Sequence, residues 1–376
     1  MRRILITDKI KGIAKDYAQK MENKDTFNQG KDPKTRLLQL SKQLGRAGTT
    51  IKIPCGSDVR RCINHKGRDF PAPSKYVKAI YDNYDGLNSL LPSEYGEKIM
   101  KQVDAELAAY DVSGIKVKLP KKGVRPLFEL IVEAMRYDKV QKDIMPEFIR
   151  KLEIKTCVYC NAQFATTATV QELRLVKKKL AKVVNKDVSC YELDHNWPKS
   201  KYPYLCTNFY NLQPSCGSCN RRKNDRQLDF SLYYEEGETN VKPVHIALAH
   251  EDIIRFRTTN NAQGITPYLC NEGEDYPPVM SDVVSIVGKM NKMLGLQGIY
   301  DEHEDIVEEI LWKHKIYSEG YMTALETQIK NLGIAGFDMK RFVLGGYYER
   351  KEDFLKRPLS ILKNDVWEQL CAVKKE

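Results

Sequence analysis

The chain has 376 residues, a net charge of +11 and an apolar fraction of 42%. This length predicts two or three domains with ordinary hydrophobic cores, and the absence of any run of about 18 apolar residues argues against a membrane-spanning helix. The basic balance suits a polyanionic partner but does not require one, since many basic proteins bind no nucleic acid.

The number of cysteines and the N-terminal residues predict the cellular compartment of the protein. Arg2 and Arg3 are followed by no long apolar stretch, so a secretory signal peptide is not expected. The ten cysteines are then expected in a reducing compartment, where thiols serve metals better than disulfides. We therefore expect a cytoplasmic protein with no membrane contact.

Residues 1–150 are predicted to be mainly helical. Asp32 and Pro33 precede a leucine-rich stretch that ends at Gly45, which is typical of a capped helix. Apolar residues alternate with lysines over residues 115–119, which predicts a short edge strand. Pro126 then opens another apolar-rich helix that continues to Met135.

Residues 151–235 form a cysteine-bearing unit, and residues 236–376 form a second mainly helical region. Residues 244–248 are a candidate strand, whereas apolar residues recur at helix spacing from Ser281 onward and a last helix begins at Pro358. The predicted fold class is α+β and mostly helical, with the central unit flanked by helical regions.

Two Cys-x-x-Cys pairs, Cys157/Cys160 and Cys216/Cys219, lie in the central unit. Each pair places two sulfurs on one tight turn, and four thiolates match a tetrahedral structural zinc site. The alternative, buried thiols without a metal, fits two pairs of identical spacing poorly. We therefore predict that these four cysteines bind a structural Zn²⁺.

Polar residues with a recognisable order lie between and beside the two cysteine pairs. Asp194 and His195 end a predicted strand, an irregular proline-containing loop follows, and a second apolar stretch contains Asn211. A helix can begin at Cys219, immediately before Asn220. The predicted order is strand, loop, strand, helix.

These residues resemble the HNH nucleases of the ββα-metal class. The resemblance rests on the Asp-His pair at 194–195, the Asn-Leu pair at 211–212 and the Cys-x-x-Cys-Asn-x-x-Lys run at 216–223, and it covers about 75 residues. It implies a zinc-stabilised ββα-metal unit that hydrolyses DNA phosphodiester bonds with a divalent cation. The run that begins at Asp194 also resembles HNH subunits of Septu-type bacterial antiphage systems, which implies a role in antiviral defence and an ATPase partner.

The resemblance implies a role for each of four residues. His195 corresponds to the general base that takes a proton from the attacking water, a task that suits a neutral imidazole near pH 7. Asp194 and Asn220 correspond to ligands of one Mg²⁺ or Mn²⁺. Asn211 corresponds to the residue that holds the loop and orients His195. Asn220 stands where many members carry a second histidine, which favours Mg²⁺.

Two basic segments are candidate nucleic-acid contacts. Residues 170–184, inserted ahead of Asp194, predict a helix with apolar residues on one face and basic residues on the other. A solvated face is the more common explanation of such a pattern, and contact with phosphates is the competing one. The basic residues that follow Asn220 are better candidates, because they lie within one helical turn of it. The candidate contacts are Arg221, Arg222, Lys223, Lys177, Lys178, Lys179 and Lys182.

Two other functions stay open at this point. A zinc-stabilised nucleic-acid-binding module without catalysis would not need the Asp-His-Asn set, and a ribonuclease would use the same site although no aromatic RNA-binding motif is present. Apolar stripes that include Ile306, Ile310, Leu325 and Ile329 are candidates for a docking face toward an ATPase. Core packing is the more frequent use of such stripes.

Overall fold

The computed structural model describes residues 1–28, 30–46, 50–54, 62–65, 73–95, 112–119, 123–176, 180–228, 230–239, 241–271, 274, 285–345 and 351–372. Over these residues the protein is α+β, with helices predominating and several small sheets. The predicted α+β, mostly helical class is therefore confirmed.

The N-terminal region begins with strand β1 (Ile4–Leu5) and continues mainly in helices. Its helices are α1 (Asp8–Glu22), α2 (Pro33–Leu44), α3 (Pro73–Asp82), α4 (Tyr84–Leu87), α5 (Leu127–Ala134), α6 (Tyr137–Lys139) and α7 (Met145–Lys151). Helix α2 is capped as predicted, because the Asp32 carboxylate accepts a hydrogen bond from the Thr35 amide at 2.9 Å and Gly45 ends the helix. Helix α5 follows Pro126 and ends before Met135, also as predicted.

A four-stranded antiparallel sheet accompanies these helices. Its strands are β2 (Thr50–Pro54), β3 (Cys62–His65), β4 (Lys116–Lys118) and β5 (Val124–Pro126), in the order β3-β2-β4-β5. The prediction that residues 115–119 form an edge strand is wrong, because β4 lies between β2 and β5. Val117 is buried while Lys116 and Lys118 are exposed, and a sheet with one solvated face produces this alternation in interior strands as well.

The central unit contains a long β-hairpin that the sequence did not predict. Strands β6 (Thr166–Val176) and β7 (Leu180–Cys190) pair along their whole length. The predicted helix over residues 170–184 is therefore wrong. The segment is rich in β-branched residues, which favour strands. Leu173 and Val183, which a helix would place on one face, are directly paired across the hairpin and both exposed.

After the hairpin, the chain follows the predicted order of strand, loop, strand and helix. Strand β8 (Glu192–His195) pairs antiparallel with β9 (Leu212–Ser215), and helix α8 (Gly217–Lys223) comes next. The loop between the strands contains two short 3₁₀ turns, Pro203–Leu205 and Phe209–Asn211.

The C-terminal region combines short strands with a series of helices. Strand β10 (Tyr233–Tyr234) pairs parallel with β1, and β11 (Val244–Ala247) pairs antiparallel with β12 (Tyr268–Asn271). The helices are α9 (His250–Thr259), α10 (Ile286–Leu294), α11 (Leu296–Asp301), α12 (Glu304–Ile316), α13 (Glu319–Asn331), α14 (Met339–Leu344) and α15 (Ser360–Ala372). The predicted strand near residue 244 and the predicted last helix are confirmed.

Buried apolar residues from all three regions belong to one contiguous core. The beginning of the chain is tied to α15 by an ion pair between Arg2 and Asp365, whose side chains are both almost completely buried. Removing one partner of a buried pair leaves an uncompensated charge and typically costs about 3–5 kcal/mol. The N-terminal strand and the last helix therefore depend on one another.

The described helices include none that combines the length and the apolar character needed to cross a membrane.

Candidate metal centre and catalytic site

The four paired cysteines come together as the sequence predicts. The sulfur atoms of Cys157, Cys160, Cys216 and Cys219 lie within 4.8 Å of one another, and all four residues are buried and free of disulfides. Tetrahedral zinc–thiolate geometry needs sulfur atoms about 3.8 Å apart, given a Zn–S bond of about 2.3 Å. The cluster could therefore bind a metal such as zinc with small adjustments.

The first cysteine pair is anchored to the C-terminal region. The Tyr300 hydroxyl donates to the Cys160 carbonyl at 2.6 Å. Asn161, which follows, is buried and adopts a left-handed backbone conformation with φ of 50°. Its amide nitrogen donates to the Phe354 carbonyl at 2.9 Å, and its amide oxygen accepts from the Ile361 backbone at 3.1 Å. This turn is thus held by residues nearly 200 positions away.

The second cysteine pair sets the start of α8. Cys216 is the N-cap residue, and its sulfur accepts a hydrogen bond from the Cys219 amide at 3.5 Å. Because Asn220 and Lys223 are three residues apart, they lie on the same face of this helix. That face packs on β8, where Asn220 meets Glu192 and Lys223 meets Asp194.

Asp194 is buried and already engaged by two donors. Its Oδ2 accepts hydrogen bonds from the Tyr159 hydroxyl and from Lys223 Nζ, the latter at 3.0 Å. Burial raises the pKa of Asp194, and the Lys223 charge opposes that shift. Lys223 Nζ also donates to the His195 carbonyl at 2.8 Å.

The prediction that Lys223 contacts nucleic acid is wrong. Its side chain is 0% exposed, so its ammonium cannot reach a phosphate outside the protein. Instead the charge is used internally, on Asp194 and on the carbonyl of His195.

His195 is held as a neutral imidazole. Its Nε2 lies 3.0 Å from the Cys206 carbonyl, which can only accept, so Nε2 carries the proton and Nδ1 carries the lone pair. The ring also packs against Tyr137, with centroids 4.7 Å apart. Burial lowers the pKa of His195 to about 3, and the charge of Lys199 acts in the same direction. The ring is therefore uncharged throughout the neutral range.

Asn211 closes the loop between β8 and β9. Its amide oxygen accepts from the Trp197 backbone at 2.7 Å, while its amide nitrogen donates to the carbonyls of Trp197 and Leu205 at 3.1 and 3.0 Å. These bonds go to the loop backbone rather than to the His195 ring. The orientation of that ring comes from the Cys206 carbonyl and from Tyr137.

Asn220 lies on the element facing Asp194, but its hydrogen bond goes elsewhere. Its Nδ2 donates to Glu192 Oε2 at 2.7 Å. A carboxylate can only accept, so Glu192 fixes which way the amide points and leaves its oxygen turned away from Glu192. Sequence reasoning missed Glu192, although a residue two positions before Asp194 in a strand lies on the same face.

Gln213 is a second polar residue that sequence reasoning missed. It pairs directly with Asp194 across the two strands, so their side chains are neighbours on one face. Gln213 is completely buried, and neither amide atom of its side chain has a hydrogen-bond partner. Such an unsatisfied group typically costs about 1–3 kcal/mol.

The donor atoms around Asp194 are chemically suited to a hard cation. The Asp194 carboxylate and the Asn220 amide oxygen are the type of ligand that Mg²⁺ and Mn²⁺ prefer. The Lys223 ammonium shows that this carboxylate accepts a positive charge. Within the described part of the chain, the four cysteines are the one cluster of three or more His, Cys, Asp or Glu ligands that could hold an ion, so a catalytic cation would depend on amide, carbonyl and water oxygens as well.

The other candidate nucleic-acid contacts differ in accessibility. The Arg221 side chain is 73% exposed and lies 3.7 Å from Glu192, which leaves it open to a phosphate beside the site. Arg222 donates from Nη1 to the Leu294 carbonyl at 2.6 Å and so links α8 to α10. Lys177, Lys178, Lys179 and the side chain of Lys182 lie outside the described residues.

Comparisons with known proteins give no match: no family model, no curated protein and no solved structure is found to be similar to this chain.

Zinc binding should depend on the paired cysteines. We expect Cys216→Ser to lower the zinc content from one ion per chain toward zero and to destabilise the central unit, because metal binding and folding are coupled. Elemental analysis and thermal unfolding measure the two effects. Cys371→Ser is the matched control, since Cys371 is exposed and lies outside the cluster. Wild-type protein purified without chelators and found free of metal would contradict the prediction.

The buried neutral state of His195 should make the protein acid-sensitive. Below pH 6.5 the unfolded chain binds a proton at this position that the native ring, with a pKa of about 3, does not bind, so stability falls as the pH falls. At pH 5 the loss is about 2 kcal/mol. His195→Gln keeps a donor for the Cys206 carbonyl but cannot titrate. Urea unfolding at pH 7.5 and pH 5 should therefore show a loss about 2 kcal/mol larger in the wild type, and equal losses would refute the assignment.

Proposed function

We propose that this protein is a metal-dependent endonuclease of the HNH type that hydrolyses DNA phosphodiester bonds. The observation that supports this most is the state of His195. Its Nε2 faces the Cys206 carbonyl, which leaves the Nδ1 lone pair for a proton, and His195 ends a strand that also carries Asp194. The paired cysteines and the strand–loop–strand–helix order match the resemblance that motivates the proposal.

In this proposal His195 Nδ1 accepts a proton from the water that attacks the scissile phosphate. The bond from Nε2 to the Cys206 carbonyl strengthens as the ring gains positive charge, and Tyr137 keeps the ring in place. Asn211 fixes the loop that supplies the Cys206 carbonyl, since it binds the carbonyl of Leu205 immediately before it. The base is thus positioned by backbone groups, which move little during the reaction.

Asp194 and Asn220 would hold one divalent cation in the proposed enzyme. Mg²⁺ or Mn²⁺ bound there supplies charge stabilisation to the phosphate and to the leaving oxygen. Glu192 would contribute by holding the Asn220 nitrogen, which leaves the amide oxygen for the cation. The structural zinc contributes by fixing Cys216 and Cys219, which begin the helix carrying Asn220.

The substrate is proposed to be a nucleic acid on grounds of charge and accessibility, and DNA in particular because of the resemblance to HNH nucleases. The chain carries a net charge of +11, and the exposed Arg221 lies beside Glu192 at the edge of the site. A ribonuclease would use the same groups, and a binding module without catalysis would not need a general base. One assay separates the three.

With Mg²⁺ present, the wild-type protein should cleave plasmid DNA. His195→Ala should keep zinc and DNA affinity but lower the cleavage rate by about 10² to 10⁴, the usual contribution of a general base. His250→Ala serves as the control, because His250 is exposed at the start of α9. Cleavage of RNA alone would replace the proposal with a ribonuclease, and binding without cleavage of plasmid, single-stranded DNA or RNA would replace it with the binding module.

We also propose that the nuclease works in bacterial antiphage defence together with an ATPase subunit. The predicted docking stripe needs correction, because Ile310 is buried and Ile306, Leu325 and Ile329 pack against the core of the chain itself. Other apolar side chains of this region are exposed, including Leu332 at 74% and Phe342 at 64%. These are the better candidates for contact with a partner.

A tagged chain purified from cells that express its native operon should bring an ATPase subunit with it. Replacing Leu332 and Phe342 together by glutamate should remove that subunit while leaving the fold intact, because both side chains are exposed. Leu173→Glu is the matched control, since Leu173 is 73% exposed but lies on the β6–β7 hairpin. Recovery of the wild-type chain alone, with robust cleavage by it alone, would remove the support for a regulated subunit.

A further inference from the structure

A buried ammonium rests on the carboxylate that the proposed function gives to a divalent cation. Lys223 Nζ lies 3.0 Å from Asp194 Oδ2, 3.3 Å from Asp194 Oδ1 and 2.8 Å from the His195 carbonyl oxygen. A carboxylate and a backbone carbonyl are also the oxygens that bind hard metal ions. Lys223 thus meets a ligand set of the type such an ion requires.

Lys223 and a divalent cation would compete for these oxygens. Mg²⁺ binds oxygen at about 2.0–2.1 Å, which would bring it close to the ammonium at a distance where like charges repel strongly. Both groups would also be shielded from water, because Lys223 is 0% exposed and the Asp194 side chain is 6% exposed. Repulsion in such surroundings is stronger than at a surface. The ammonium in its observed position therefore opposes the binding of a divalent cation.

The surroundings offer the ammonium another acceptor. Gln213 is paired with Asp194 on the same sheet face, is buried, and has an amide oxygen without a hydrogen-bond partner. Lys223 is the last residue of α8, where the backbone turns at Asn224 with φ of 51°. A long side chain at a helix end can change rotamer without moving the cysteines at the start of that helix.

We propose that Lys223 is a built-in competitor of the catalytic cation. Its ammonium holds Asp194 while no divalent ion is bound, and it passes to the Gln213 amide oxygen when such an ion arrives. The inference rests on the proposed function, because that function gives Asp194 its metal. Its consequence is a raised threshold of Mg²⁺ or Mn²⁺ below which the nuclease stays inactive.

The direct test is a titration of the zinc-loaded full-length protein with Mn²⁺. The electron paramagnetic resonance signal of free Mn²⁺ measures how much of the ion has bound. Lys223→Met keeps the length of the side chain but removes its charge, and it should bind Mn²⁺ at least about tenfold more tightly than the wild type. Lys199→Met is the matched control. Lys199 is a positive charge near His195 that stacks on Tyr137, so its loss should change the affinity far less. Asp194→Asn removes the carboxylate of the proposed site, so the Mn²⁺ that this variant still binds is bound elsewhere on the protein.

Affinity that is unchanged or weaker in Lys223→Met would overturn the inference. A second measurement on the wild type covers the case in which this variant does not fold. The lysines are labelled with ¹³C at Cε, and the Lys223 resonance is assigned by its loss in Lys223→Arg. This resonance should shift when diamagnetic Mg²⁺ saturates the protein. A resonance that stays in place at saturation would also overturn it.

These outcomes are distinguishable from failure of the proposed function. Tighter Mn²⁺ binding by Lys223→Met without any cleavage by either protein would support the competition and refute the nuclease. Cleavage by the wild type with no gain of affinity in the variant would do the reverse.

Discussion

The packing of helix α8 against strand β8 is the contact on which the candidate site depends. The cysteines at the start of α8 fix where the helix begins, and its periodicity then places Asn220 over Glu192 and Lys223 over Asp194. On the other side, the Cys206 carbonyl and Tyr137 hold His195. A displacement of α8 by one turn would separate every one of the polar pairs between helix and strand.

The polar interior around Asp194 is costly for folding and therefore informative about function. A carboxylate, an ammonium and an unsatisfied amide lie together in a region from which water is nearly excluded. Apolar residues of similar size would satisfy packing at least as well. Polar groups of this kind are expected where a protein binds a charged ligand, and this set lies within a few residues of His195 in the fold.

Local sequence signals predicted the strands and the helix that position the site, but not the residues that these elements contact. The paired cysteines and the strand–loop–strand–helix order were readable because metal-ligand spacing and capping are local. The helix predicted over residues 170–184 failed because its apolar residues satisfy the helical period while its β-branched residues favour strands, and pairing with β7 decided the outcome. Lys223 was misread because it follows two arginines, yet its spacing of three from Asn220 already placed it on the buried face.

The anchoring of Asn161 has a consequence for synthesis of the protein. Asn161 lies in the turn that contains Cys157 and Cys160. Its side-chain hydrogen bonds go to the backbone of Phe354 and of Ile361, and Ile361 lies 200 residues further along the chain. At elongation rates of about 5–20 residues per second, a ribosome needs roughly 10 to 40 seconds to make that stretch. During this interval the turn lacks its supports, so the central unit cannot reach its final packing early in translation. The candidate site is therefore completed only when almost the whole chain has been made.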